Sequence, residues 1–332
     1  GAARRIGAPC PGGIAAAPSA DGLLVACLRP SDRDRGRDGA LTLYRIAGEV
    51  ATLASTSPIG EESRWPDVAE HDGRVIVGWR DADVFTARAR VVELEERAFG
   101  EPRALSSGET LASAPSVAFI EGAAHYAWTE AWFDRSGRAA GHLLVRREED
   151  PPRPSLSVAD RDVSTFLTAD SIGPMVALRD QRPIGARHRS FVGRLDAELR
   201  LAARNLRSPG RADAEGGRPM LVPCGESVFS VATRRSSRGV TMVTLRRLDT
   251  DLSPVEEEQQ VYEYHTRFPQ AVGVCIEGRL LVAVGERESE VQRVPRLRTY
   301  ELVCEPGRAH ERTPGDEGQV LRKRGAGPGI GS

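Results

Sequence analysis

Lysine is almost absent. Lys323 is the only one among 46 basic residues, so neither a phosphate-loop lysine nor a Schiff-base lysine has a candidate outside the C-terminal tail. Long apolar runs are missing too. The longest, such as LLVACL at Leu23–Leu28, fall far short of the roughly 20 residues that span a bilayer, and no transmembrane segment is expected. Net charge is nearly nil, with 46 basic against 47 acidic residues. No global field therefore draws the chain to nucleic acid or to an anionic membrane. The five cysteines (Cys10, Cys27, Cys224, Cys275, Cys304) lack metal-site spacing, and an odd number leaves at least one unpaired in a monomer. Six histidines (His71, His125, His142, His188, His265, His310) are scattered without paired metal spacing and are read as structural or solvated. No metal or other cofactor is expected. An initiating methionine is also missing. Gly1 opens either a trimmed piece or a mature product freed of its export signal; the second is the expectation, and with it a periplasmic, outer-surface or secreted protein.

What the sequence does contain is a repeat. WPDVAEHDGRVIVGW from Trp65 is echoed by APSVAFIEGAAHYAW from Ala114, and GRPMLVPCGESVFSVAT (Gly217–Thr233) and FPQAVGVCIEGRLLVAV (Phe268–Val284) fit the same template. APSADGLLVACL (Ala17–Leu28) and TFLTADSIGPMVAL (Thr165–Leu178) fit it more loosely, which makes six copies. The equivalent bulky positions Leu28, Trp79, Trp128, Leu178, Thr233 and Val284 lie 51, 49, 50, 55 and 51 residues apart by their numbers. Such a period is that of propeller blades.

In each copy a short apolar strand meets a turn, acidic-glycine in four (Asp21-Gly22, Asp72-Gly73, Glu121-Gly122, Glu277-Gly278), before a second apolar strand returns. These second strands, such as VIVGW and LLVAV, are almost continuously apolar, as in a sheet covered on both faces. One column stays small in every copy: Cys27, Gly78, Ala127, Ala177, Ala232, Ala283. Cys27 is read there as a small core residue. Taken alone, LDAELRLAARNL (Leu195–Leu206) has helical spacing, but the repeat register makes RLDAEL (Arg194–Leu199) and RLDTDL (Arg247–Leu252) turns between outer strands.

The fold expected is all-β: a six-bladed β-propeller of four-stranded antiparallel blades over residues 1–322, with repeats starting near 14, 65, 114, 165, 217 and 268. Residues 323–332 form a flexible tail. An open edge between first and last blades calls for a terminal strand. ARRIG (Ala3–Gly7) is assigned to that place, with QVLRKR (Gln319–Arg324) as rival.

The pattern of proline, VA, a DG turn, V-x-W and then RLD resembles the β-propeller repeats of secreted bacterial proteins. It covers nearly the whole chain and is sharpest at Trp65–Asp81 and Ala114–Glu130. The resemblance implies architecture, since the function of that family is mostly undefined.

Candidate chemistry gathers at the end of the second strands. One column reads Arg29, Arg80, Thr129, Arg179, Arg234, Gly285, and the next Pro30, Asp81, Glu130, Asp180, Arg235, Glu286. In an antiparallel meander this rim is shared by the loops that join second to third strands and blade to blade. Arginine forks suit carboxylate, sulfate or phosphate, because paired hydrogen bonds fix the anion. Arg29, Arg80, Arg179, Arg234, Asp81, Glu130 and Asp180 are therefore the candidate ligand residues. Against this stands pairing of the same arginines with neighbouring acids as salt bridges between blades. Trp65 and Trp132 can stack on a sugar ring, whereas Trp79 and Trp128 occupy core columns.

SDRDRGRDG (Ser31–Gly39) resembles a calcium loop, but counted from Asp32 the sixth and twelfth places hold Arg37 and Leu43, so it is read as a solvated hairpin tip. Two disulfides are feasible: Cys224–Cys275 between consecutive copies, and a terminal clasp Cys10–Cys304.

The expected function is a non-enzymatic ligand- or protein-binding propeller of the bacterial cell envelope or exterior, taking a protein or an anionic or glycan ligand at this rim. The alternative is a sialidase-like glycan-active hydrolase or lyase with an arginine-rich central mouth. Sialidase-like propellers bind a carboxylate with arginines and use a tyrosine nucleophile. Their Ser-x-Asp-x-Gly-x-x-Trp turn is absent here, and none of Tyr44, Tyr126, Tyr262, Tyr264 and Tyr300 lies in an identifying motif.

Overall fold

The computed structural model describes residues 10, 13–20, 22–29, 31, 38–47, 50–59, 63–82, 86–96, 98–137, 139–158, 164–180, 189–209, 215–235, 240–264, 270–276, 278–287 and 295–303. Both segments considered for ring closure lie outside them, as do the 323–332 tail and residues 32–37 of the arginine-aspartate loop.

The fold is all-β and propeller-like, with no α-helix among the described residues. The first sheet runs β1 (Gly13–Ser19), β2 (Gly22–Arg29), β3 (Gly39–Ala47), β4 (Val50–Ile59), in chain order. Next come β5 (Arg64–His71), β6 (Arg74–Ala82) and β7 (Ala87–Glu95), with short outer strands β8 (Ala98–Phe99) and β9 (Arg103–Ala104) on β7. The third repeat supplies β11 (Ser116–Ile120), β12 (Ala123–Phe133), β13 (Ala139–Arg147) and β14 (Arg153–Val158). The two-residue strand β10 (Leu111–Ala112) lies between these groups: Leu111 pairs parallel with Ala87 of β7 and antiparallel with Ala131 of β12. It joins the second and third repeats into one curled ten-stranded sheet, where two separate four-stranded blades were expected.

The fourth repeat gives β15 (Ser164–Asp170), β16 (Gly173–Asp180) and β17 (Arg189–Arg194). In place of a fourth strand it has an isolated bridge, Val192 to Arg207. The fifth has four strands, β18 (Glu215–Cys224), β19 (Ser227–Arg235), β20 (Thr241–Leu248) and β21 (Gln259–Tyr264). The last described sheet has three, β22 (Gln270–Ile276), β23 (Arg279–Arg287) and β24 (Pro295–Val303).

The core lies between repeats, not within them. Five apolar clusters are each shared by two consecutive repeats. Leu41 and Leu43 pack with Val77 and Trp79, and Val91 packs with Tyr126 and Trp128. Because each sheet is sandwiched, both faces of its second strand are dry. Trp79 and Trp128 are 1% and 0% exposed. The small column follows from the same geometry. A Cβ on Gly78 would sit 3.0 Å from Pro115 and Val117 of the next first strand.

The first strands touch in sequence: β1 with β5, β5 with β11, β11 with β15, β15 with β18, β18 with β22, and β22 with β1. The acidic-glycine turns are tight hairpins with positive φ at both residues, 49° and 80° at Asp72-Gly73 and 51° and 77° at Glu121-Gly122. In both RLD segments the aspartate side chain closes a turn. Asp196 accepts from the amides of Glu198 and Arg200, and Asp249 from those of Asp251 and Ser253. Each turn ends on a left-handed leucine, Leu199 at φ 62° and Leu252 at φ 61°.

A disulfide joins Cys224 and Cys275 across the fifth and sixth repeats, with Cα atoms 5.4 Å apart. The second expected bridge is corrected. Cys10 is bonded to Cys27, not to Cys304, at a Cα separation of 5.3 Å. Cys27 projects to the face of the first sheet opposite Leu24, Ala26 and Leu28, which pack against the second repeat, so the disulfide holds the chain before β1 on the far side.

Candidate functional site

The antiparallel registers put the ends of β2, β6, β12, β16 and β19 on one rim, together with the starts of the first strands. The four candidate arginines stand in four different sheets of that rim. Arg29 is exposed, opposite Ala40. Arg179 is half-buried between Ser164 and Ser190 in register. Arg234 is 4% exposed and paired with Glu258 at 2.8 Å. The Asp180 side chain lies outside the described residues.

Arg80 and Glu130 come together differently, along the seam of the second and third repeats, whereas Asp81 follows the alternation of β6 to the face of Val77 and Trp79, which pack on the first repeat. Arg80 reaches across the seam, its Nε donating to the Ala112 carbonyl at 3.1 Å. Ala112 is the register partner of Glu130. Each oxygen of Glu130 receives a donor: Trp128 Nε1 to Oε1 at 3.0 Å, and Thr110 Oγ1 to Oε2 at 2.8 Å. The carboxylate is thereby held in one orientation by one buried and one half-buried group. Asp81, one repeat earlier in the same column, is paired with Arg90 Nε at 2.9 Å and accepts from Ser63 Oγ at 3.1 Å.

Two tryptophans flank this seam at the surface, Trp65 at 43% and Trp132 at 40% exposure. Trp65 precedes Pro66 and sits where the β5–β6 register slips, at φ 55°. A bulky residue before proline rarely adopts that conformation, and the strain turns the chain at the rim. The Arg80 guanidinium lies over its ring, 5.3 Å from the centroid. Trp132 is two residues beyond Glu130 on β12 and therefore on the same face; its ring meets His142 at 5.2 Å. His142 is the register partner of Glu130.

Sequence reasoning named Arg80, Asp81, Glu130, Trp65 and Trp132, but not Thr110 or His142. Thr110 comes from the segment leading into β10, which no repeat template contains. His142 was set aside as one of six unpaired histidines, although its register opposite Glu130 follows from the hairpin.

The opposite rim is matched charge. Arg74 binds Glu93 at 2.9 Å and Glu148 at 3.5 Å, Arg103 pairs with Glu149, and Arg194 grips both oxygens of Asp170 at 2.9 and 2.7 Å. The Arg103 guanidinium holds the Glu149 carboxyl below its usual range. For Asp170 burial opposes ionisation, yet the hydrogen bonds from Arg194, Ile172 and Gly173 carry it below the ordinary value. Burial pushes the Tyr126 phenol up and His125 down. Among the described residues no three metal-ligating side chains gather, and no helix is long and apolar enough to cross a membrane.

No protein-family model and no curated protein sequence matches the chain. Solved structures do. An endo-arabinase from Bacteroides thetaiotaomicron is 11% identical, with a TM-score of 0.48 over 73% of this chain and 94% of its own. A Hadza microbial sialidase is 11% identical, with a TM-score of 0.47 over 74% of this chain and 60% of its own. The GH43_1 enzyme from Xanthomonas citri, complexed with xylose, is 12% identical, with a TM-score of 0.45 over 89% of each chain. Likeness at this level concerns the path of the chain, and no residue role is carried over from it. These neighbours are enzymes named for glycans or holding a sugar. On that finding the expectation of a non-enzymatic binding propeller is corrected.

Proposed function

We propose that the protein is a glycan-active hydrolase working at the rim between its second and third repeats, on a six-bladed propeller of the bacterial cell envelope or exterior. The observation that carries this reading is the Glu130 carboxylate, oriented by Trp128 and Thr110, with the exposed Trp132 two residues on along β12 and the exposed Trp65 beneath the arginine that reaches the strand paired with Glu130. Exposed indole rings stack on the apolar faces of sugars, and a carboxylate beside them is the group glycoside hydrolysis requires.

Such hydrolysis takes two carboxyl groups: one protonates the departing oxygen while the other activates water or attacks the anomeric carbon. Glu130 is proposed as one of the two. The glycosidic C–O bond breaks, the anomeric carbon gains the hydroxyl of water and the leaving oxygen gains the proton.

The six-bladed form is supported by the sixfold template and by the unbroken succession of first-strand contacts from β1 through β22 and back to β1. Two disulfides support an oxidising compartment.

The test is release of reducing sugar from arabinan, xylo-oligosaccharides and sialosides by the wild type and by Glu130→Gln. Turnover of at least one substrate is expected, falling by about 100-fold or more in the variant, with the circular dichroism spectrum unchanged. If the wild type and the variant are indistinguishable on every substrate, the hydrolase reading fails.

A further inference from the structure

We infer that the ligand of this site is an oligosaccharide of at least two rings laid across the seam from Trp65 to Trp132, not a single sugar held in a central channel. The inference rests on the glycan reading above and fixes the size and position of the ligand.

Along β12, Trp128, Glu130 and Trp132 face the same way, in steps of roughly 6.8 Å. Their exposure climbs with them: Trp128 is buried at 0%, Glu130 is half-buried and Trp132 is 40% exposed. Together they form a wall whose foot is core and whose top is aromatic surface. Opposite Trp132 in the register stands Ala140, and opposite Ala131 stands Gly141. The small Ala140 stands beside the indole on that face and His142 supports its edge, whereas Gly141 belongs to the other face, where a Cβ would clash with the Glu130 carbonyl oxygen.

The second wall begins at Trp65. Arg80 covers its ring at 5.3 Å, yet 43% of the residue remains exposed. From there Arg80 passes to the Ala112 carbonyl and so to the strand paired with Glu130. A succession of contacts thus leads from Trp65 through Arg80 to the strand that pairs with Glu130 and, beyond it, Trp132. Two aromatic platforms with a carboxylate between them exceed one sugar ring, and a linkage between two stacked rings would lie over Glu130.

The experiment is calorimetric titration of the Glu130→Gln protein, which preserves the binding surface, with arabinose and xylose oligosaccharides of one to five units. For at least one series, affinity should rise about tenfold or more from one unit to three. Trp132→Ala and Trp65→Ala, added singly, should each abolish most of that rise while leaving weak binding of the monosaccharide. Trp132 is exposed, so its loss does not threaten folding, and Trp132→Phe should restore part of the gain. Binding that does not change with length, or that survives both alanine variants, overturns the two-platform ligand while leaving hydrolysis at Glu130 standing. Absence of binding to every oligosaccharide also overturns it, whatever the turnover assay returns.

Discussion

The carboxylate of Asp67 is 6% exposed on the first strand of the second repeat, where three polar groups donate to it. Its Oδ1 accepts from the Val68 amide, and its Oδ2 from the Val117 amide and the Ser116 hydroxyl. Ser116 Oγ in turn accepts from the Leu167 amide. Three successive first strands are stitched together through two side chains. Removing the acceptor strands buried donors, at about 1 to 3 kcal/mol each. Asp67→Ala should therefore lower stability by about 3 kcal/mol or more and Ser116→Ala by about 1 to 2 kcal/mol, measured by denaturant unfolding. Because the two share one network, the double variant should cost clearly less than the sum; simple additivity would refute the relay. The stitch was not legible in the sequence. The register column reads Ile14, Asp67, Ser116, Phe166, Pro219, Val272. Nothing in one polar pair among apolar equivalents says that it points at the neighbouring strand and not at solvent.

At the scale of elements, turns written in local chemistry were readable and seams between repeats were not. The acidic-glycine hairpins and the RLD turns carry their cause in a few residues. Asp196 and Asp249 each gather two amides that a helix would have used otherwise, which is why the helical spacing of Leu195–Leu206 gives way to a turn. Asp249→Ala should cost about 1 kcal/mol, seen as a lower thermal midpoint, while Asp249→Asn should keep most of it. By contrast β10, which brings Thr110 to Glu130, owes its place to partners of Leu111 that lie 24 and 20 residues away by number, Ala87 and Ala131. The seam of matched charge on the opposite rim also sets a pH response. Glu149 and Asp170 have folded values below their unfolded ones, so their contribution is complete above about pH 4 and is lost as pH falls through the folded values. His125, lowered by burial, acts in the same direction from about pH 6.5 downward, because the unfolded chain takes its proton first. A scan of thermal midpoint against pH should show decline in both windows. His125→Gln should flatten the upper window alone.

Across the whole molecule, the hydrophobic period sufficed to read the layout. Each core cluster is shared by two repeats, and sandwiched sheets leave continuous apolar strands and a small-residue column as their trace. The same layout leaves each repeat without a core of its own, so stability depends on how neighbours are held together. Van der Waals contact holds most seams, and a covalent bond spans the one between the fifth and sixth repeats, joining β18 to β22 through Cys224 and Cys275. That bridge closes a loop of 51 residues, whereas Cys10–Cys27 closes 17. By chain entropy the two restrict the unfolded chain by about 4 and about 3 kcal/mol. Peptide mapping without reduction should recover the pairs 10–27 and 224–275, and a Cys10–Cys304 peptide would overturn the assignment. Cys224→Ser with Cys275→Ser should lower the thermal midpoint more than Cys10→Ser with Cys27→Ser. The longer loop opens and the seam it spans is freed, while the shorter bridge fastens the chain before β1 to a sheet whose own four strands stay paired. An equal or reversed order would mean that the fifth and sixth repeats are held by packing alone.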